Sequence, residues 1–239
     1  TFSSHRNLLI SSSIIVLLYE CRHTDLKTVR LSQDGSAVII LDQTCLPGSE
    51  VYVSLSSAEE IWEAIYRLKV RGAPAIGIAA AYGIYVCSRQ IAANTYGGFC
   101  SEFLRIKDYL ASSRPTAVNL VAALDRMEKV VVAHSVNPVP EIVELLRVEA
   151  EAIRAEDAAA CRKIGENCLS LLRPGMGILT HCNAGHLAVS EYGTALAPVY
   201  LGEERGYGFK VFADETSSAV AGCTPDGLRN CRRWVWMLP

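Results

Sequence analysis

Apolar and polar positions change their period along this chain, and the changes divide it into elements. Beyond Leu26, Val29 and Leu31 alternate with polar residues, Gln33-Asp34-Gly35 supplies a turn, and 37–41 is a short apolar, β-branched run. Together they predict a β-hairpin closed by Asp-Gly, its second strand ended by Pro47 and Gly48. Ile61, Ile65 and Leu68 then recur at helical spacing behind Ser57, and Glu60 three residues on completes a capping-box pattern. The stretch 70–77 interrupts that helix and opens another, rich in small residues through Tyr85. A helix pair follows at 99–111 and 117–131, split by Ser112-Ser113-Arg114-Pro115-Thr116. The longest helical region is 138–172, with Ile142, Leu146, Ala150, Ile153, Ile164, Cys168 and Leu171 forming its apolar stripe and Pro174-Gly175 its stop. Residues 177–185 read as a buried strand entering a glycine turn, followed by a helix from about 186 to 200. Residues 210–215 read as the next parallel strand, with Asp214 and Glu215 at its carboxyl end.

The fold class this predicts is α/β. A small N-terminal β-hairpin and helical domain (26–140) leads through a connecting helix into the beginning of a Rossmann-like parallel sheet (141–216), which is incomplete. Residues 1–25 form a leader, and 217–239 a tail of different texture.

Composition narrows the partners. Half of the 239 residues are apolar, enough for a sizeable core. Lys and Arg at 23 against Asp and Glu at 25 give no basic excess, so nucleic acid is not an expected partner. The nine cysteines are scattered, without a C-x-x-C pair or a metal-ligand spacing, as in a cytoplasmic protein with reduced thiols and no metal. The apolar run at 8–19 is shorter than the roughly 20 residues a membrane span needs, and Cys21-Arg22-His23 behind it is no small-residue cleavage site. Neither a membrane nor secretion is expected.

Three places carry candidate chemistry. Gly72 and Pro74 open a helix with Arg71 beside its start, where backbone N–H groups and a guanidinium suit a phosphate. A tight contact between helices explains the same small residues, and spacing leaves both readings open. Arg114, before Pro115 at another helix start, is either a second anion anchor or an exposed loop cation. Cys182 lies just past a strand, near a predicted helix N-terminus that would favour its thiolate. His181 beside it points to the opposite face of the strand, and the other eight cysteines read as inert.

The segments LDQTCLPG (41–48), VRGAPAIGIAAAYG (70–83), SRPTAVNL (113–120), ILTHCNAG (178–185), YGTALAPV (192–199) and FADET (212–216) resemble, in order and spacing, the motifs of methylthioribose-1-phosphate isomerases. The resemblance covers roughly 26–216. It implies an N-terminal helical and β domain, a Rossmann-like domain, a homodimer and no cofactor. The implied reaction is isomerisation of 5-methylthioribose 1-phosphate to 5-methylthioribulose 1-phosphate in methionine salvage. By matching motif, Arg71, Gly72, Ala73 and Arg114 would hold the sugar phosphate, and Cys182 would be the catalytic cysteine.

Within the same superfamily, ribose-1,5-bisphosphate isomerases share the Arg and Cys motifs, and regulatory subunits related to initiation factor 2B share the fold as binding proteins. The family's catalytic aspartate, on a later strand, has no counterpart here, nor does its Asn-Lys pair. After FADET the family continues approximately as RPLLQGARLTAYEL, whereas 218–229 matches a shifted reading frame of those codons. The expectation is that this exact chain is inactive and poorly soluble.

Overall fold

The computed structural model describes residues 27–46, 48–181, 184–213 and 236–237. Three antiparallel strands open the chain: β1 (Val29–Leu31), β2 (Val38–Leu41) and β3 (Tyr52–Leu55), in that order across the sheet. β1 and β2 are the predicted hairpin, in register Val29 to Ile40 and Leu31 to Val38. Its turn is organised by Asp34, whose carboxylate accepts from Ser32 Oγ at 2.6 Å and from Ser36 N at 3.1 Å, while Gly35 takes φ 67°. β3 was not anticipated. Its alternation of Tyr52, Val53, Ser54 and Leu55 is weak, because only Leu55 is buried.

Five helices follow: α1 (Ala58–Tyr66), α2 (Ala73–Ser88), α3 (Tyr96–Ala111), α4 (Val118–Ala133) and α5 (Val139–Leu169). The Ser57–Glu60 capping box of α1 is present in both directions. α2 is the axis of this lobe, buried on every side from Ala75 to Ser88. A helix apolar all round must be enclosed, and its small residues let the neighbours approach. A Cβ on Gly77 would sit 2.9 Å from Asn119 O of α4, and one on Gly83 would sit 2.8 Å from Ile61 Cγ2 of α1. Tyr82, at the middle of α2, donates to Glu151 Oε2 of α5 at 2.8 Å.

At 31 residues α5 is long enough to serve both lobes. Its first half buries Ile142, Leu146 and Ala150 in the core around α2. Its second half buries Cys161 against Ala188 and Val189. Gly165 there admits α6 (Ala197–Glu204) closely, with Ala197 only 3.1 Å from where a Cβ would stand.

The second lobe has β4 (Gly177–Thr180) parallel to β5 (Lys210–Ala213), connected through α6, as a βαβ unit requires. Its small core is Leu196, Val199, Tyr200, Phe209 and Val211. β6 (Trp236–Met237) pairs antiparallel with β5, so the late tail returns to this sheet. The expected helix at 186–200 is a correction. Only His186–Ala188 turns, as a single 3-10 unit, and α6 begins at Ala197. Tyr192 and Gly193 take φ 62° and 82°, and Ser190 N donates to Asp157 of α5 at 2.8 Å, so the backbone cannot run helically between. Among the described residues no helix is long and apolar enough to cross a membrane.

Gly77→Ala should destabilise the chain by about 1–3 kcal/mol, because the neighbour is backbone and cannot rotate away. Gly97→Ala, in α3 with open space around it, should instead stabilise by about 0.5–1 kcal/mol. Urea unfolding of the two variants separates the effects.

Candidate active site

β4 ends at Thr180, and His181 beyond it is exposed. Cys182, with Asn183, lies outside the described residues. Beyond them, the Ala184 carbonyl accepts from Thr194 N at 2.9 Å, which ties the two ends of the 184–194 segment together. Gly193 makes this possible: a Cβ there would lie 2.5 Å from Ala184 O. The segment flanking Cys182 is thus a folded loop closed by hydrogen bonds rather than the first turn of a helix. The thiolate argument from an adjacent helix N-terminus does not apply.

This loop docks on the N-terminal lobe at Gly72. A Cβ on Gly72 would stand 2.3 Å from Ala188 O and 2.4 Å from its Cα, and Gly72 holds φ +93°. Both facts require glycine. Gly72 is also the N-cap of α2, with no side-chain cap. Ala73, exposed, is the first helical residue, and Ile76 N makes the first intrahelical bond to Gly72 O at 2.9 Å. The N–H groups of Ala73 and Ala75 precede that bond and Pro74 has none, so two backbone donors point out of the helix start. Arg71 is half-buried with Nε enclosed away from solvent, and Val70 before it is fully buried.

Arg114 is half-buried in the connection between α3 and α4, where Ala117 N donates to its carbonyl at 2.9 Å and the buried Ser113 donates to Leu110 O at 2.6 Å. The Gly77–Asn119 contact brings the second turn of α2 beside the first turn of α4. The elements carrying Arg71 and Arg114 are therefore neighbours, and Gly72 and Ala73 meet the turn that follows Cys182. The tight-contact reading of 70–77 holds, since the small residues of α2 pack closely against α4 and α1, and the first residues of α2 face the loop.

Several participants were not singled out from sequence. Thr28 Oγ1 donates to His186 O at 3.2 Å, and Gln43 Nε2 to Leu187 O at 2.8 Å. Asp42 and Gln43 are buried polar residues directly behind the apolar strand β2. Two polar residues abutting such a run were the available signal. Arg154 of α5 pairs with Glu191 at 3.4 Å, and Lys27 reaches the same carboxylate at 3.4 Å. The nearby Cys161 thiol is pushed up to about 12 by burial, as is Cys87, so both are inert at neutral pH. Among the described residues no group of three or more His, Cys, Asp or Glu side chains could hold a metal ion.

His186 is 4% exposed, its ring edge-on to Tyr200 at 5.5 Å. Burial lowers its pKa from 6.5 to about 4. A depressed histidine pKa means the unfolded chain binds more protons between these values. Stability is thus fully present above pH 6.5 and falls as the pH drops toward 4. His186→Leu should flatten that slope, which is worth on the order of 3 kcal/mol in all, as read by urea midpoints across the interval. Gly72→Ala should cost roughly 3 kcal/mol or more through strain and the clash with Ala188 backbone. Gly175→Ala, also at positive φ but in open space, should cost about 1 kcal/mol. Thermal denaturation of both checks the difference.

The model of the Initiation factor 2 subunit family matches residues 69–224. The chain is 72% identical over 194 residues to the methylthioribose-1-phosphate isomerase of Parabacteroides distasonis, covering 81% of this chain and 58% of that protein. It is 59% identical over 197 residues to the protein of the same name from Symbiobacterium thermophilum, covering 82% and 55%. To the 5-deoxyribose 1-phosphate isomerase of Petrotoga mobilis it is 53% identical over 194 residues, covering 81% and 56%. The chain thus spans between half and two thirds of the length of these relatives. Among solved structures, 5-methylthioribose 1-phosphate isomerase from Pyrococcus horikoshii superposes with a TM-score of 0.73 at 38% identity, over 77% of this chain and 51% of that one. The delta subunit of translation initiation factor eIF-2B from A. fulgidus superposes with a TM-score of 0.74 at 35% identity, over 86% and 59%. The α/β fold read from the motifs is the fold of these neighbours, and the match spans both lobes of the site: this chain belongs to the Initiation factor 2 subunit family.

Proposed function

We propose that the protein to which this span belongs is a sugar-phosphate isomerase, converting an aldose 1-phosphate to the ketose 1-phosphate. The preferred substrate is 5-methylthioribose 1-phosphate, giving 5-methylthioribulose 1-phosphate. The observation that carries this reading is the docking of Gly72 on Ala188, which apposes the Arg71–Ala73 loop to the turn following Cys182. The names of the relatives at 72% and 53% identity support it, and they give two candidate substrates, 5-methylthioribose 1-phosphate and 5-deoxyribose 1-phosphate.

The chemistry divides between the lobes in this reading. Arg71, Arg114 and the backbone N–H of Ala73 hold the phosphate, where a helix start and two guanidinium groups complement its charge. A phosphate on C1 prevents ordinary opening to a free aldehyde. The ring oxygen must therefore be protonated as its bond to C1 breaks, hydrogen moves from C2 to C1, and the C2 hydroxyl becomes the carbonyl. Cys182 is one acid–base group for these transfers. The work calls for a second group of different pKa, which the resemblance puts on a later strand as an aspartate. No metal or organic cofactor is required. The reaction does not need a membrane or nucleic acid, and a cytoplasmic homodimer is the assembly this reading implies.

A second reading, a non-catalytic binding subunit, is favoured by the likeness to the delta subunit from A. fulgidus. Turnover decides between them. The protein completed to the length of its relatives should convert 5-methylthioribose 1-phosphate, followed by phosphorus NMR, and be slower on 5-deoxyribose 1-phosphate. Arg71→Ala and Arg114→Ala should raise KM by about tenfold to a hundredfold. Conversion of neither sugar by the completed protein would leave the binding-subunit reading in possession.

A further inference from the structure

Residues 190–193 are held against α5 in a conformation that their own backbone disfavours. Tyr192 takes φ 62°, in the left-handed region, and Gly193 after it takes φ 82°. Glycine enters that region freely, whereas a residue as bulky as tyrosine meets a penalty of roughly tenfold in population. Contacts from three successive residues to α5 offset it. Ser190 N donates to Asp157 Oδ2 at 2.8 Å, Glu191 pairs with Arg154 at 3.4 Å, and the Tyr192 hydroxyl accepts from Arg162 Nη1 at 3.2 Å. The Arg162 guanidinium also stands 5.7 Å from the centre of the Tyr192 ring. From the other side the same hydroxyl hydrogen-bonds Glu204, the last residue of α6.

The ring held in this way is a cover. It packs on the cluster of Cys161, Ala188 and Val189, and Cys161 beneath is 2% exposed. Beyond Tyr192, Thr194 N and Leu196 N both reach Ala184 O, at 2.9 and 3.4 Å. Each anchor to α5 is small: one hydrogen bond to backbone, one partly exposed ion pair, and one guanidinium on a ring and its hydroxyl. Contacts of these kinds are individually weak, so the turn can leave α5 at far less cost than unfolding the core around α2. Letting go of the ring also frees the backbone of Tyr192 to relax, which adds to the tendency to open.

We propose that the 190–193 turn is a strained latch: Tyr192, gripped between Arg162 of α5 and Glu204 of α6, keeps the turn folded over Cys161. Loss of that grip releases the turn from α5 while the helix and the N-terminal lobe stay folded. Asp157 and Arg154 seat the first two residues of the turn, and Arg162 holds the third, so one stretch of α5 carries the whole catch. The latch is independent of the isomerase reading, since none of its residues is assigned to the sugar phosphate.

Alkylation of individual cysteines by iodoacetamide, read by peptide mass spectrometry, tests this on the chain itself. Cys161 should label at least about tenfold faster than Cys87, which lies in the core around α2. The Cys161 rate should hardly change with urea below the unfolding midpoint, because a local opening exposes little surface. Cys87 should label only through global unfolding, with a steep urea dependence. Arg162→Met and Tyr192→Phe should each raise the Cys161 rate by about threefold to tenfold. Tyr192→Asn removes grip and strain together, since asparagine tolerates the left-handed region. In that background Arg162→Met should add less than about twofold, because Arg162 acts through the ring. Cys161 labelling with the rate and urea dependence of Cys87 overturns the proposal, as does an unchanged Cys161 rate in Arg162→Met or Tyr192→Phe. So does an equal acceleration by Arg162→Met with and without Tyr192, which would mean that Arg162 works through Glu166, its other partner at 3.6 Å.

Discussion

The missing side chain at residue 72 is the constraint on which the two lobes depend. Ala188 brings its carbonyl and Cα into the volume a Cβ would need, and Gly72 takes a backbone conformation that L side chains rarely adopt. Because Gly72 is also the N-cap of α2, the contact cannot form elsewhere without moving the helix around which the other helices of the N-terminal lobe pack. Helix start, docking surface and candidate phosphate loop are one short segment. Its sequence is therefore restricted by packing and by chemistry together.

The long helix α5 makes that docking rigid. It is buried at one end among the residues around α2 and at the other beneath the turn and α6. Polar contacts run along the same seam: Tyr82 to Glu151, Arg154 to Glu191, Ser190 N to Asp157. The ion pairs are partly exposed and contribute little individually. The buried bonds to the backbone at 186 and 187 matter more for geometry, because a carbonyl held in a low-dielectric setting has no water to exchange for its donor.

Much of the frame was legible in the sequence because it is written in local signals. The Asp-Gly hairpin, the Ser57–Glu60 capping box, the glycine-proline opening of α2 and the parallel pair β4–β5 each follow from a few adjacent residues. β3 was missed because it is short and only Leu55 of its four residues is buried. The helix expected at 186–200 failed for a nonlocal reason: Asp157, Gly193 and the carbonyl of Ala184 hold that stretch open from outside it. The candidate site divides the same way. Arg71, Gly72, Ala73 and Arg114 stand on elements that pack as neighbours, whereas Thr28 and Gln43 enter it only through tertiary bonds spanning 158 and 144 residues. No periodicity or motif spacing encodes such a bond.

That division has a physical logic for a reaction on a small anion. Holding a phosphate asks for a helix start and cations, features that a stable helical lobe supplies at little cost. Moving a proton asks for a group placed to a fraction of an ångström, and a loop between a strand and a short turn does not hold such a position by itself. In the proposed reading, the turn beyond Ala184 borrows rigidity from the first lobe. The glycine contact sets how close the turn comes, the two buried donors set how it is turned, and the buried His186, kept neutral down to about pH 4, adds no charge beside them. The placement of the turn at 186–188 is thus a property of the sheet and helix against which it rests.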